Sequence, residues 1–381
     1  MNTTEKYTRY KKYLEFDPDN SLLLSQVIEI SLKMNDFQTS WPLAIKAASQ
    51  HSDDIHCLYQ AIHAALATHH YQEAFDWLEP IVANKPTPSW AIYDYAYVLL
   101  QQKQYQAVSD YIDSFDYVID EMPQALVLQA KSLHCLDRFS ESQQLLEQYL
   151  KLHPEDAEAY GYLSMVLLDQ GLVADAETVG REALELDENQ LYALITMGNV
   201  CLHNTDVDAA NQYCDSALEM FPNVGRLLTL KGQLLSLAHH YHDAVQYFER
   251  ATQVMSHIGT WHGLAWCYLF LDQFNQCEAA FKAALDLNPN FAESQGGMAL
   301  AHVLKDDIPT AKQYLSVALK LDRHCVTGLF TKVILLRKEG QDAKANTIIQ
   351  AILNSPLEGR DQLLKEAVLA LMSKVENRPR E

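Results

Sequence analysis

Fifteen histidines, seven cysteines and 50 aspartates and glutamates are ample raw material for metal or acid–base chemistry, but their spacing does not assemble a site. A metal needs ligands that converge at fixed geometry. The pairs His69-His70 and His239-His240, with His242 beside the second, sit at equivalent points of two segments far apart in the chain, and they read as solvated turn residues. Cys57, Cys135, Cys201, Cys214, Cys267, Cys277 and Cys325 form no CxxC and are odd in number. Cys201, Cys214 and Cys277 read as small, reduced packing residues in a cytosolic protein, and nothing suggests a disulfide framework. No GxxxxGKS/T, GxSxG, HExxH or GxGxxG occurs, so phosphate loops, hydrolase elbows, zinc proteases and dinucleotide folds lack their signatures. The expectation is a non-catalytic chain with no metal and no cofactor, whose work is binding.

Charge narrows the partner. The net charge of −21 opposes nucleic-acid backbones and anionic membrane surfaces, both of which need lysine and arginine clusters. The acid is uneven: between Glu155 and Pro222 there are 14 aspartates and glutamates against the single Arg181. The first residues, MNTTEKYTRYKKYLEF, hold no apolar signal core, and no run approaches the ~18 apolar residues of a membrane helix. A cytoplasmic protein without nucleic-acid binding or membrane insertion is expected.

The elements that position these residues repeat. Units start near Ser21, Ile55, Ser89, Pro123, Ala157, Leu191, Gly225, Ile258, Ala292 and Val326, at spacings of 34 residues with a single 33. A fixed period of this size marks a solenoid. Each unit holds two apolar patterns of helical period separated by a short polar turn. In the fifth, Tyr160, Leu163, Ser164 and Leu167 are followed by Asp169-Gln170-Gly171 and then Ala176, Gly180 and Ala183. Small residues such as Ala74, Ala176, Ala210, Ala244, Ala311 and Ala345 stand where two helix axes must approach. An aromatic opens many second helices (Phe37, Tyr71, Tyr105, Phe139, Tyr241, Phe274), and Pro86, Pro154, Pro222 and Pro289 close units. The third unit is irregular, because Ala107 follows Tyr105 by two places instead of three, and a local distortion is expected there.

These residues, clearest in Trp261, Leu264, Ala265, Tyr268, Cys277, Phe281, Ala284 and Pro289 of the eighth unit, resemble the tetratricopeptide repeat family over roughly residues 21–355. The resemblance implies an all-α, right-handed superhelical solenoid of about ten helix–turn–helix repeats. Residues 1–20 would form an N-terminal capping helix, 21–356 the repeats, and 357–381 a C-terminal capping helix, over 361–375, with a frayed tail.

In such proteins the second, fifth, sixth, ninth, twelfth and thirteenth places of the first helix line or border a concave groove. Projected so, this chain offers His56, Tyr59 and His63, then Trp90, Tyr93 and Tyr97, then Tyr162, Met165, Tyr192 and Asn199, then His262, Trp266 and Phe270, and finally Phe330. Exposed aromatics in a concavity are binding anchors, with large area and few rotatable bonds; the alternative is that several pack between adjacent first helices. Two devices of the family do not carry over. A carboxylate clamp would need a constellation that Lys131, Asn199 and Arg226 do not form, and the sixth place holds no asparagine ladder. An apolar or amphipathic segment of a partner protein is the expected ligand, with the chain as a scaffold, adaptor or chaperone-like protein. The alternatives are a peptide- or ligand-responsive regulatory sensor, and a non-catalytic subunit of a larger assembly. For the last, the acidic residues of the second helices (Glu177, Glu182, Glu185, Asp208, Asp215, Glu219) would dock a basic partner. Those same acids equally serve solubility alone. Glu158 and Asp169 are expected to face the groove.

Overall fold

The computed structural model describes residues 2–115, 117–354 and 369. Among these residues all regular structure is helical, in ten successive helix pairs. A first helix α1 (Thr3–Phe16) precedes them. The pairs are α2 (Ser21–Lys33) with α3 (Phe37–Gln50), α4 (Ile55–Ala67) with α5 (Tyr71–Ala83), and α6 (Ser89–Gln101) with α7 (Tyr105–Ile112). A single turn, α8 (Val118–Glu121), follows before α9 (Ala125–Cys135) and α10 (Phe139–Leu150). Then come α11 (Ala157–Asp169) with α12 (Val173–Leu186), α13 (Leu191–His203) with α14 (Val207–Met220), and α15 (Gly225–Leu237) with α16 (Tyr241–Val254). The last pairs are α17 (Ile258–Phe270) with α18 (Phe274–Leu287), α19 (Ala292–Leu304) with α20 (Ile308–Leu321), and α21 (Val326–Lys338) with α22 (Asp342–Asn354). The chain divides into two compact parts, Met1–Ala159 and Tyr160–Glu381. The closing helix expected over 361–375 lies outside the described residues, Leu369 excepted.

Nine first helices begin at the residue the repeat spacing sets; the fourth begins two residues late, at Ala125. Pro123 and Gln124 form a turn there, and Ala125 N–H reaches Met122 O at 2.9 Å. The cause is the irregular third repeat. Its second helix has only eight residues, and the chain makes the extra turn α8 before rejoining the period. Val108 occupies the small-residue position of that repeat and is fully buried. Ser40, Ala74, Val108, Ser142, Ala176, Ala210, Ala244, Cys277, Ala311 and Ala345 recur at the repeat interval, every one without exposed surface. Small side chains let the paired helices close, and the contact excludes water.

Local signals start and stop the helices. Side chains of Asn20, Asp36, Asp54, Asp206 and Asp307 accept hydrogen bonds from the first free N–H groups of α2, α3, α4, α14 and α20. Every intra-repeat turn passes through a left-handed residue: Asn35, His69, Lys103, Asp137, Gly171, Thr205, His239, Asp272, Asp306 and Gly340. The first helix then ends in a double bond of the Schellman kind; in the sixth repeat Thr205 N–H meets Leu202 O at 3.1 Å and Asp206 N–H meets Cys201 O at 2.8 Å. Thr205, β-branched at φ 63°, is the most strained choice in the series. Thr205→Gly is expected to raise stability by about 1 kcal/mol, a shift read as a higher urea midpoint. An unchanged or lower midpoint would show that the turn stores no such strain.

Two aromatic rings lock the C-terminal part. Phe248 and Phe281 are buried to 1% and 0% exposure. A Cβ on Gly263 would lie 2.4 Å from the Phe248 ring, and one on Gly297 would lie 2.3 Å from the Phe281 ring. Each ring of one repeat thus fills space that a glycine opens on the first helix of the next.

Candidate functional site

In the N-terminal part the first helices α4 and α6 place Tyr59, His63, Trp90, Tyr93 and Tyr97 half-buried, with His56 exposed. The residues meet. The Tyr59 ring stands edge-on to Trp90 at 4.8 Å and lies 4.1 Å from His63. Tyr97 reaches Tyr71 at 6.4 Å between centroids. His63 Nε2 bonds Asp94 Oδ2 at 3.1 Å, and Asp94 is buried. Burial, then the charges of Asp94 and Glu29, push the Tyr59 hydroxyl pKa upward. Tyr93 is also raised, chiefly by burial. Asp94 carried no expectation in the sequence beyond its departure from an asparagine ladder; its interval of 31 residues from His63, nearly one repeat, was the available signal.

The aromatics of the C-terminal part are more deeply engaged. Tyr162 packs edge-on to Tyr192 at 5.0 Å. Phe270 stacks on Tyr241 at 4.6 Å and lies 6.2 Å from Trp266. Asn199 Nδ2 donates to Ile195 O of its own helix at 2.8 Å. Three groove assignments need correction. Tyr162, Met165 and Phe330 are 5%, 4% and 1% exposed, and Phe330 belongs to the same core cluster as Phe281. Phe330 fills the interior, and Tyr162 and Met165 are nearly withdrawn from the surface instead of standing as exposed anchors. Trp266 and Phe270 stay half-exposed.

His262 is held between Phe281 and Phe291, at 5.4 and 5.5 Å, and its Nε2 meets Ser294 Oγ at 2.7 Å. Removal from water, and secondarily His257, lowers its pKa from 6.5 to about 4. The unfolded chain therefore takes up this proton below pH 6.5, whereas the folded chain does so only near pH 4. Stability from this group is full above pH 6.5 and falls as the pH drops toward 4, by about 2 kcal/mol at pH 5. Urea titrations at pH 7 and pH 5 should show this loss, and His262→Gln should remove it. An equal pH response in the variant would contradict the assignment.

Two cations carried by first helices are paired. Lys131 bonds Glu158 at 2.7 Å within the N-terminal part. In the C-terminal part Arg226 grips Asp169 with two bonds, 3.1 and 2.6 Å, tying the end of α11 to the start of α15 across a whole repeat. Lys131 and Arg226 are thereby engaged within the chain. Among the described residues no three histidine, cysteine or carboxylate side chains converge as a metal site would require. None of the described helices is long and apolar enough to cross a membrane.

The repeat pattern has counterparts among known proteins. Family models described as tetratricopeptide repeat match residues 128–190 and 258–291. Anaphase-promoting complex subunit 7 of Dictyostelium discoideum is 29% identical over 144 residues, which are 37% of this chain and 24% of that protein. The chain thus aligns with about a quarter of its curated relative. The crystal structure of the APC/C hetero-tetramer Cut9-Hcn1 superposes with a TM-score of 0.63 at 16% identity, over 81% of this chain and 62% of that one. The structure of PilW, a type IV pilus biogenesis factor, gives a TM-score of 0.45 at 16% identity, over 57% of this chain and 98% of that one.

Proposed function

We infer that this chain, a tetratricopeptide repeat protein, is an interaction scaffold that holds an apolar or amphipathic segment of a partner protein against the aromatic face of its first helices. The observation that carries the reading is the contact of Tyr59 with His63 and Trp90, flanked on α6 by the half-buried Tyr93 and Tyr97. Half-buried aromatics present large, rigid, amphipathic area, the kind of surface that dominates binding energy. In the C-terminal part Trp266 and Phe270 support a second contact. Affinity purification from the native host, with wild type beside Trp90→Ala and Trp266→Ala, tests it. Partners should be lost from the variants while the helical fold is retained; unchanged partners on intact variants would sink the groove assignment.

A second reading has its own support. The first-named relative and the superposed hetero-tetramer are subunits of an assembly by their names. Glu182, Glu185, Asp208 and Glu219 of α12 and α14 are exposed, in a stretch where Arg181 is the sole cation and is already paired with Glu177. Under this reading the chain is a non-catalytic subunit that docks a basic partner on its acidic second helices. Co-purification that weakens steeply with salt and survives Trp90→Ala would favour it.

A further inference from the structure

We propose that the α4–α6 face receives a cationic side chain, a lysine or arginine carried in the otherwise apolar partner segment, against Asp94. This rests on the scaffold reading above and specifies its occupant. Asp94 is 6% exposed, and its hydrogen-bond partner is the imidazole of His63 at 3.1 Å. Among the described residues no lysine or arginine pairs with it. A carboxylate withdrawn from water is stabilised by a full opposite charge more strongly than by a single hydrogen bond.

The field of this carboxylate extends to the rim of the face. Burial leads the upward shift of the Tyr59 hydroxyl, and Asp94 and Glu29 add to it. A field that opposes an anion at Tyr59 favours a cation there. Tyr59 and Trp90, edge-to-face at 4.8 Å on the same two helices, suit the same charge, because tyrosine and tryptophan faces attract ammonium and guanidinium groups. The local lysines are committed elsewhere: Lys131 to Glu158 at 2.7 Å and Lys33 to Glu29 at 2.5 Å. An acidic chain of net charge −21 adds long-range attraction for a basic segment.

The test uses the full chain to select from a displayed library of random peptides. Wild type should enrich apolar peptides with lysine or arginine at one recurring position. Asp94→Asn keeps the volume and an acceptor for His63, and it should abolish that preference. It should weaken a selected basic peptide about tenfold while sparing its uncharged counterpart. His63→Gln, which alters the pair but keeps the carboxylate, should retain the preference. If His63→Gln loses it as Asp94→Asn does, the pair is only a strut between α4 and α6 and the proposal fails. Selection of apolar peptides with no basic position, or an Asp94→Asn variant that selects as wild type does, overturns the cation site and leaves the scaffold reading standing. Failure of wild type to select any peptide overturns both.

Discussion

Phe248→Ala is expected to destabilise the C-terminal part by about 3–5 kcal/mol, the range for truncating a fully buried aromatic. The ring is 1% exposed and lies against both Gly232 and Gly263, where an added Cβ would stand 2.9 and 2.4 Å away. No neighbouring side chain at those two positions can grow into the vacated space, so the cavity stays and the full cost is felt. In a solenoid each repeat is stabilised by its neighbours, and the loss is therefore local first. Hydrogen exchange should accelerate in α15 through α18 before it does in α2 to α5. Phe248→Leu, which refills part of the space, should lose about half as much or less. An unchanged unfolding midpoint in Phe248→Ala would mean that the ring does not pin adjacent repeats together.

Trp90→Ala is expected to weaken the partner complex by about 2 kcal/mol or more, roughly 30-fold, as truncation of a tryptophan anchor does. Trp90 also packs on the core formed by Leu58, Ile62 and Ala91, so part of the effect will be structural. Trp90→Phe separates the two: it keeps apolar area for the core and should restore stability more fully than affinity. Gln72→Ala, an exposed change on the second helix of the same repeat pair, should leave both unchanged. Equal affinity for wild type and a folded Trp90→Ala would remove the aromatic patch from the interface.

Architecture was legible in the sequence because packing repeats. The fully buried small residues from Ser40 to Ala345 and the left-handed turn residues from Asn35 to Gly340 answer a steric demand made ten times over. The fourth repeat shows the limit. Pro123 marked the period, but the short α7 displaced the helix start to Ala125. The candidate site was legible only in part. Places five and six of a first helix lie at the edge between groove and core, and neighbours decide which way a ring turns. Tyr59 and Tyr93 stay half-buried, whereas Phe330 at the same place of its repeat goes fully into the core. Cross-repeat partners were hidden for a related reason. The His63–Asp94 and Arg226–Asp169 pairs join residues 31 and 57 positions apart, and helical period alone does not choose such partners.

The central claim is that the partner lies on the first-helix aromatic face, and site-specific photo-cross-linking in the native host measures this most directly. A photoreactive phenylalanine replaces His56, exposed on α4 beside the aromatic patch, and in a second variant replaces Glu185, exposed on α12 in the acidic stretch. The scaffold reading predicts a partner adduct from position 56 and none from position 185. An adduct from position 185 alone would contradict it and assign binding to the acidic second helices.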